Sequence, residues 1–264
     1  MLLVTWAAAL LFTALADTAP PAPPAPPPAA PAAADAATTA PVKDERALVL
    51  LRKMSDRLQR AKSFTFRART TREVLVDNRV QATVFNDVRV AVQRPDKAAL
   101  TRTGDLPEFR FAYDGKEMTA YAPANGHWAT SAAPSTIDAM LFAAYEQANV
   151  SFPADEVVVA DPFAAMTKGL TNIFLVGQTT IAGHKSDHVV LANPNLELQL
   201  WLDVKTALPV EEAIVYLDDP RKPRFYIEYL DWRLDPKLPV STFALPKPPG
   251  ATVVDFRAVT SMVQ

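Results

Sequence analysis

The chain has 264 residues, 49% hydrophobic and 21% charged, so it carries enough apolar side chain to bury a core and is not a disordered polymer. With 27 Lys and Arg against 29 Asp and Glu, it lacks the basic surplus that a nucleic-acid binder uses to neutralise phosphates. Cysteine is absent, which excludes disulfides, thiolate metal sites, Cys nucleophiles and a lipidated N-terminal Cys, and with 7 Gly and 3 His no Gly-rich phosphate loop is present.

Residues 2–15 read LLVTWAAALLFTAL, an apolar run of signal-peptide length that is too short to span a bilayer. Ala14-Leu15-Ala16 supplies a small-x-small cleavage pattern, although no Lys or Arg precedes the run. Residues 1–16 are therefore expected to be a cleaved signal peptide that exports the protein to the periplasm. No other run of about 18 apolar residues follows, so no transmembrane span is expected in the mature chain. Residues 17–42 hold 9 of the 24 Pro among Ala, Thr and Asp, the composition of an extended tether with little to bury.

From Lys43 onward the pattern is globular. Asp44 can cap a helix in which Ala47, Leu50, Leu51, Met54, Leu58 and Ala61 share one side. Period two follows: Phe64, Phe66 and Ala68 alternate with Thr65, Arg67 and Arg69, then Val88, Val90 and Val92, then Phe109, Phe111 and Tyr113. Further strands are expected at 79–86, 97–102 and 117–122, separated by turns such as Asp77-Asn78, Asp114-Gly115 and Asn125-Gly126. Such short spacings make an antiparallel meander.

Two helices interrupt it. Over 136–148, Ile137, Met140, Leu141, Ala144, Tyr145 and Ala148 line one side, with Phe142 roughly 140° from Ile137. Over 162–168, Asp161 caps, Pro162 stands at the first turn and Gly169 ends the helix, with Phe163, Met166 and Leu170 as its apolar side. Strands resume at 173–181, 186–192, 196–204, 210–217 and 224–232, with a short one near 240–245. Leu196, Leu198, Leu200, Leu202 and Val204 face one way, Glu197, Gln199, Trp201 and Asp203 the other. The expected fold is α+β and mostly β: a curved antiparallel sheet of about 10–12 strands, too large to stay flat, forming an unclosed barrel with an N-terminal helix and two mid-chain lid helices.

The segments LQLWLDVKTALPVEEAIVYLDD (198–219) and FYIEYLDWRLDPKLPVSTFALPKPPGATVVDF (225–256) carry the elements W-L-D-x-x-T-x-L-P and F-x-L-P-x-P-x-G. Together with the order of elements over 44–256, they resemble the LolA/LolB-like envelope proteins. HVVLANPNLELQLWLD (188–203) is still more similar to a group of predicted periplasmic proteins in that superfamily. The resemblance implies an unclosed β-barrel with a helical lid, in a single domain over 43–264. In the best-known members the cavity receives acyl chains of lipoproteins. The lipidated cysteine of the LolB type is missing here, and Arg67, Arg69 and Arg89 carry no motif that equates them with the lid-holding arginine of LolA.

Chemical constellations are sparse. His184 and His188 enter a strand, where residues four apart stand about 13 Å apart, too far for one metal ion. Glu211-Glu212 are neighbours on a strand and point to opposite faces. Ser186-Asp187-His188 cannot fold into a triad. No catalytic residue, metal or cofactor is expected, and the protein is not expected to be an enzyme. The candidate ligand-binding residues are Ile137, Met140, Leu141, Tyr145, Phe163 and Met166 on the lid, with Trp201 and Tyr229 as cavity wall; each is also compatible with ordinary core packing. Two functions stay open. One is a monomeric carrier for a lipid or the acyl chain of a lipoprotein, and the other is a sensor or interaction module for an envelope protein.

Overall fold

A computed structural model of the chain describes residues 42–76, 80–152 and 154–259. The expected signal peptide, the tether up to Pro41 and the Asp77-Asn78 turn lie outside them. The Asp44 carboxylate accepts from the Arg46 amide at 2.9 Å and satisfies one free N–H group at the start of helix α1 (Glu45–Arg60). Ala47, Leu51, Met54 and Leu58, spaced three and four apart, form its fully buried stripe.

Six strands follow as a meander: β1 (Ser63–Val76), β2 (Val80–Gln93), β3 (Lys97–Gly104), β4 (Phe109–Tyr113), β5 (Glu117–Ala122) and β6 (His127–Ala132). Helices α2 (Ile137–Ala148), α3 (Asp155–Val158) and α4 (Pro162–Thr167) come next. A second meander runs through β7 (Asn172–Ile181), β8 (His184–Ala192), β9 (Leu196–Asp203), β10 (Pro209–Tyr216) and β11 (Arg224–Leu234). Pairing of β1 with β11 fuses the two meanders, and the two-residue β12 (Thr252–Val253) lies parallel to β6. The result is one 12-stranded sheet, in the order β12-β6-β5-β4-β3-β2-β1-β11-β10-β9-β8-β7, whose two ends do not pair. The α+β, mostly-β unclosed sheet expected from the sequence is the observed fold.

Strand alternation gives the sheet an inner face. Phe66 on β1 stands opposite Val90 on β2, Val90 opposite Leu100 on β3, and Leu100 opposite Phe111 on β4. All four are buried. Gly104 closes the β2–β3 pairing at φ +140°, where a Cβ would collide with the Phe85 carbonyl.

Three expectations need correction. The strand expected near 240–245 is a 3-10 turn, Val240–Phe243, because Pro239 starts a bend in which the Thr242 amide donates to the Pro239 carbonyl at 2.9 Å. The short last strand is Thr252–Val253 instead. An additional helical turn, α3, stands between the two expected mid-chain helices.

Candidate functional site

The inner face has two ends. At one, Phe64, Phe66, Tyr229 and Trp232 pack ring on ring, with Phe66 and Trp232 centroids 4.5 Å apart. At the other, the same strands continue but the side chains change. On β1, the inward positions Phe64, Phe66 and Ala68 are followed by Thr70 and Arg72; on β3, Ala98 and Leu100 are followed by Arg102. Here a cavity of about 430 Å³ opens between β1, β2, β3 and β4 on one side and β10 and β11 on the other. Val88, Leu100, Phe109 and Phe225 give it an apolar wall.

The connection after α2 completes the cavity. Asn149 adopts φ +49° and its amide donates to the Tyr145 carbonyl at 2.7 Å, which ends the helix and turns the chain back. Phe152 thereby lies against Phe111, with centroids 4.7 Å apart. It forms a common wall, with Leu100, between the cavity and a small apolar void of about 30 Å³ beneath α2.

The charges of the site are divided. Arg72 and Arg102 line the cavity, and Arg224 stands exposed at its rim. Burial first, and then the positive charge of Arg72, holds the Arg102 guanidinium down at about 10. The Arg102 fork donates to the Pro107 carbonyl at 3.0 Å. Arg72 Nε is buried with no hydrogen-bond partner, and no ion pair reaches Arg72 among the described residues.

Deeper under α3 lies an acidic group. The Tyr229 hydroxyl donates to Glu212 Oε2 at 2.6 Å, and Glu156 Oε1 lies 3.3 Å from the same phenol oxygen. Burial, then the Glu212 charge, pushes the Glu156 carboxyl well above its usual range. Burial also raises Glu212, against hydrogen bonds to Glu156 and Tyr229 that draw it back. Asp155 is exposed along one side, yet the protein around it and Glu156 beside it push it up to about 7. Tyr216 lines the cavity, and burial and the acids raise its hydroxyl while Arg72 lowers it.

The expected site residues divide among several places. Met140 and Leu141 line the void beneath α2. Ile137 is fully buried, its amide donating to the Pro95 carbonyl at 3.1 Å. Tyr229 is on the inner face as a partner of Glu212. Ile137 and Tyr229 line neither cavity, and neither do the other four. Tyr145 is 52% exposed because it falls outside the buried stripe of Ile137, Met140, Ala144 and Ala148. Phe163 lies beneath the Arg52 guanidinium of α1, 3.9 Å away, and Met166 is buried beside it on α4. α4 is tied to α1: the Ser55 hydroxyl accepts from the Phe163 amide at 3.0 Å, and Gln59 donates to Asp161 at 3.1 Å. Trp201 is on the outer face, stacked on His188 at 4.2 Å, because it alternates with the inward Leu200 and Leu202. Phe142 is 66% exposed, as its angle on the helix predicts. Arg72, Arg102, Phe152 and Glu156 were not singled out by sequence, and Glu212 was considered only as a pair with Glu211. The parity of β1, β3 and β10 places Arg72, Arg102 and Glu212 inward, and that is the signal that could have found them.

The chain matches the family described as "Predicted periplasmic protein (DUF2092)" over residues 47–257. It belongs to the DUF2092 family. This match bears out the resemblance of the sequence to a group of predicted periplasmic proteins. No curated protein matches this DUF2092 chain. Among solved structures it is similar to MucB in the Pseudomonas aeruginosa MucA/MucB complex, with 15% identity and a TM-score of 0.41, over 73% of this chain and 59% of that one. It is also similar to the Mycobacterium tuberculosis lipoprotein LppX, at 16% identity and TM-score 0.43, over 75% of this chain and 100% of that one. A LolA superfamily protein of Nitrosomonas europaea overlaps at 11% identity and TM-score 0.34, over 75% and 97% of the two chains. The DUF2092 chain thus spans less than two thirds of the MucB chain. No helix among its described residues is long and apolar enough to cross a membrane.

Proposed function

We propose that this protein is a periplasmic binding protein, not an enzyme, that shelters the apolar chain of a lipid or of a lipidated protein at the open end of the inner face. The cavity carries this reading. Its volume of about 430 Å³ falls within the roughly 300–1,000 Å³ of small-molecule sites. Val88, Leu100, Phe109 and Phe225 supply the apolar wall, and a small apolar void beneath Met140 and Leu141 lies on the far side of Phe152. At about 25 cal/mol per Å² of buried apolar surface, an acyl chain of a dozen methylenes contributes about 10 kcal/mol before entropy costs.

The family's description as periplasmic and the apolar run at 2–15 support export, with cleavage after Ala16 and residues 17–42 as a tether for a monomeric domain over 43–264. N-terminal sequencing of the exported protein should read from Asp17. Mass spectrometry of organic extracts from protein purified out of the periplasm tests the binding reading. A stoichiometric acyl-bearing species is the expected result, and an extract identical to a control protein's overturns it. A second reading, an interaction module for an envelope protein, is favoured by Phe142 and Tyr145, which stand exposed side by side on α2.

A further inference from the structure

We infer that the cavity takes an anionic amphiphile, its acyl chain against the apolar wall and its carboxylate or phosphate head between Arg72 and Arg102. This rests on the sheltering reading above and names the class of ligand. Hydrocarbon alone explains Val88, Leu100 and Phe109; it does not explain two guanidinium groups that replace apolar side chains at inward positions of β1 and β3. Taking a guanidinium out of water costs free energy unless an anion or hydrogen-bond acceptors compensate it. Arg72 has neither among the described residues, and its Nε is buried. The acids nearby do not supply one: Glu156 and Glu212 share the Tyr229 hydroxyl instead, and Glu73 at the cavity edge accepts from Gln81 at 3.2 Å.

Arg72 and Arg102 line the same wall of the cavity and the charge of Arg72 opposes that of Arg102, which an anion seated between them would offset. Arg102 donates one bond to the Pro107 carbonyl at 3.0 Å, which fixes its guanidinium at the cavity wall. Arg224 at the rim adds a third positive charge on the entry side.

Titration calorimetry of the exported full-length chain with hexadecanoate, hexadecyl phosphate and hexadecanol, each below its aggregation threshold, tests the inference. At least one anionic ligand should bind about tenfold or more tighter than hexadecanol, and that preference should shrink as salt is raised. Which of the two binds better identifies the head as carboxylate or phosphate. The double variant Arg72→Gln/Arg102→Gln should lose the preference and keep the hexadecanol affinity, which also shows that it is folded; Arg72→Lys should retain part of it. Equal binding of all three ligands to the unaltered protein overturns the anionic head but leaves the sheltering reading intact. A preference that survives the double variant overturns the assignment to these arginines. Failure of all three ligands to bind overturns the sheltering reading and this inference together.

Discussion

A single strand, β1, crosses both ends of the inner face, and its two halves differ in chemistry rather than geometry. The pairing with β2 runs in unbroken register from Ser63 to Val76. Inward positions nevertheless change from Phe64, Phe66 and Ala68, all buried, to Thr70 and the half-buried Arg72. Hydrogen-bonded pairing carries the sheet past the end of its core. The first half supplies folding free energy through apolar burial, and the second borrows that rigidity to hold polar groups at an opening.

Truncation should separate the halves most sharply. Phe66→Ala removes a ring that touches both Tyr229 and Trp232 and should cost about 3–5 kcal/mol in denaturant unfolding. Arg72→Gln, on the same strand and the same face, should change stability by no more than about 0.5 kcal/mol or raise it, since it removes a half-buried side chain whose Nε has no hydrogen-bond partner. Comparable losses at both positions would mean that the open end is core after all.

Phe152 lies at the boundary between packing and cavity. Replacing it with Ala should cost about 1–3 kcal/mol, because the ring is only half-buried, and should join the void under α2 to the larger cavity. Uptake of a long-chain apolar probe should then rise relative to a short one. Unchanged chain-length preference in Phe152→Ala would show that the void is not part of the binding path.

The core half was readable from residues. Phe64, Phe66, Val88, Val90 and Leu200 sit in runs where apolar and polar positions alternate, and alternation is what a half-buried strand requires. Thr252–Val253 was not readable because two residues have no period, and α3 was not because four residues make a single turn. The acidic group was hidden for a different reason. Glu156 and Glu212 belong to different elements, and only the docking of α3 on β10 brings both within reach of Tyr229. Parity shows that Glu212 faces inward; it says nothing of what it meets there.

Carboxyls raised on α3 and on β10 give the domain a pH dependence opposite to that of the surface carboxylates. Asp155 is pushed up to about 7 by burial and Glu156, and Glu211 to about 7 by burial and the Glu228 charge. An unfolded carboxyl titrates near 4, so folding takes up protons between about pH 4 and pH 7: the stability these groups allow is complete below that window and is lost as pH rises through it. Asp219, held down at about 2 by Arg221, acts only at the acid end of the scale. Solvent screens Asp155, exposed along one side, and the half-buried Glu211, so the thermal midpoint should rise by only about 2–4 °C from pH 8 to pH 5, about 1 kcal/mol for a domain of this size. Glu212→Gln, which keeps an acceptor for Tyr229 but carries no charge, should flatten the slope. A midpoint that falls over this range would show that the buried acids are already compensated.

The smallest expected effect on stability separates α2's inner side from its outer side. Ile137, Met140, Ala144 and Ala148 are buried, whereas Phe142 and Tyr145, three residues apart, are 66% and 52% exposed. Phe142→Ser removes an aromatic side chain mostly from water and should shift stability by no more than about 0.5 kcal/mol. Its acyl-ligand content should equal that of the unaltered protein, because Phe142 lines neither cavity. If α2 is a docking surface for an envelope protein, cross-linking through this face in the periplasm should drop in Phe142→Ser and persist in Arg72→Gln/Arg102→Gln. The arginine variant should show the reverse, reduced binding of the anionic amphiphile with the protein contact intact. A variant that loses both, or a Phe142→Ser protein that loses only its ligand, would show that α2 and the cavity act as one site, and the division between the two ends of the sheet would then have to be redrawn through the helix.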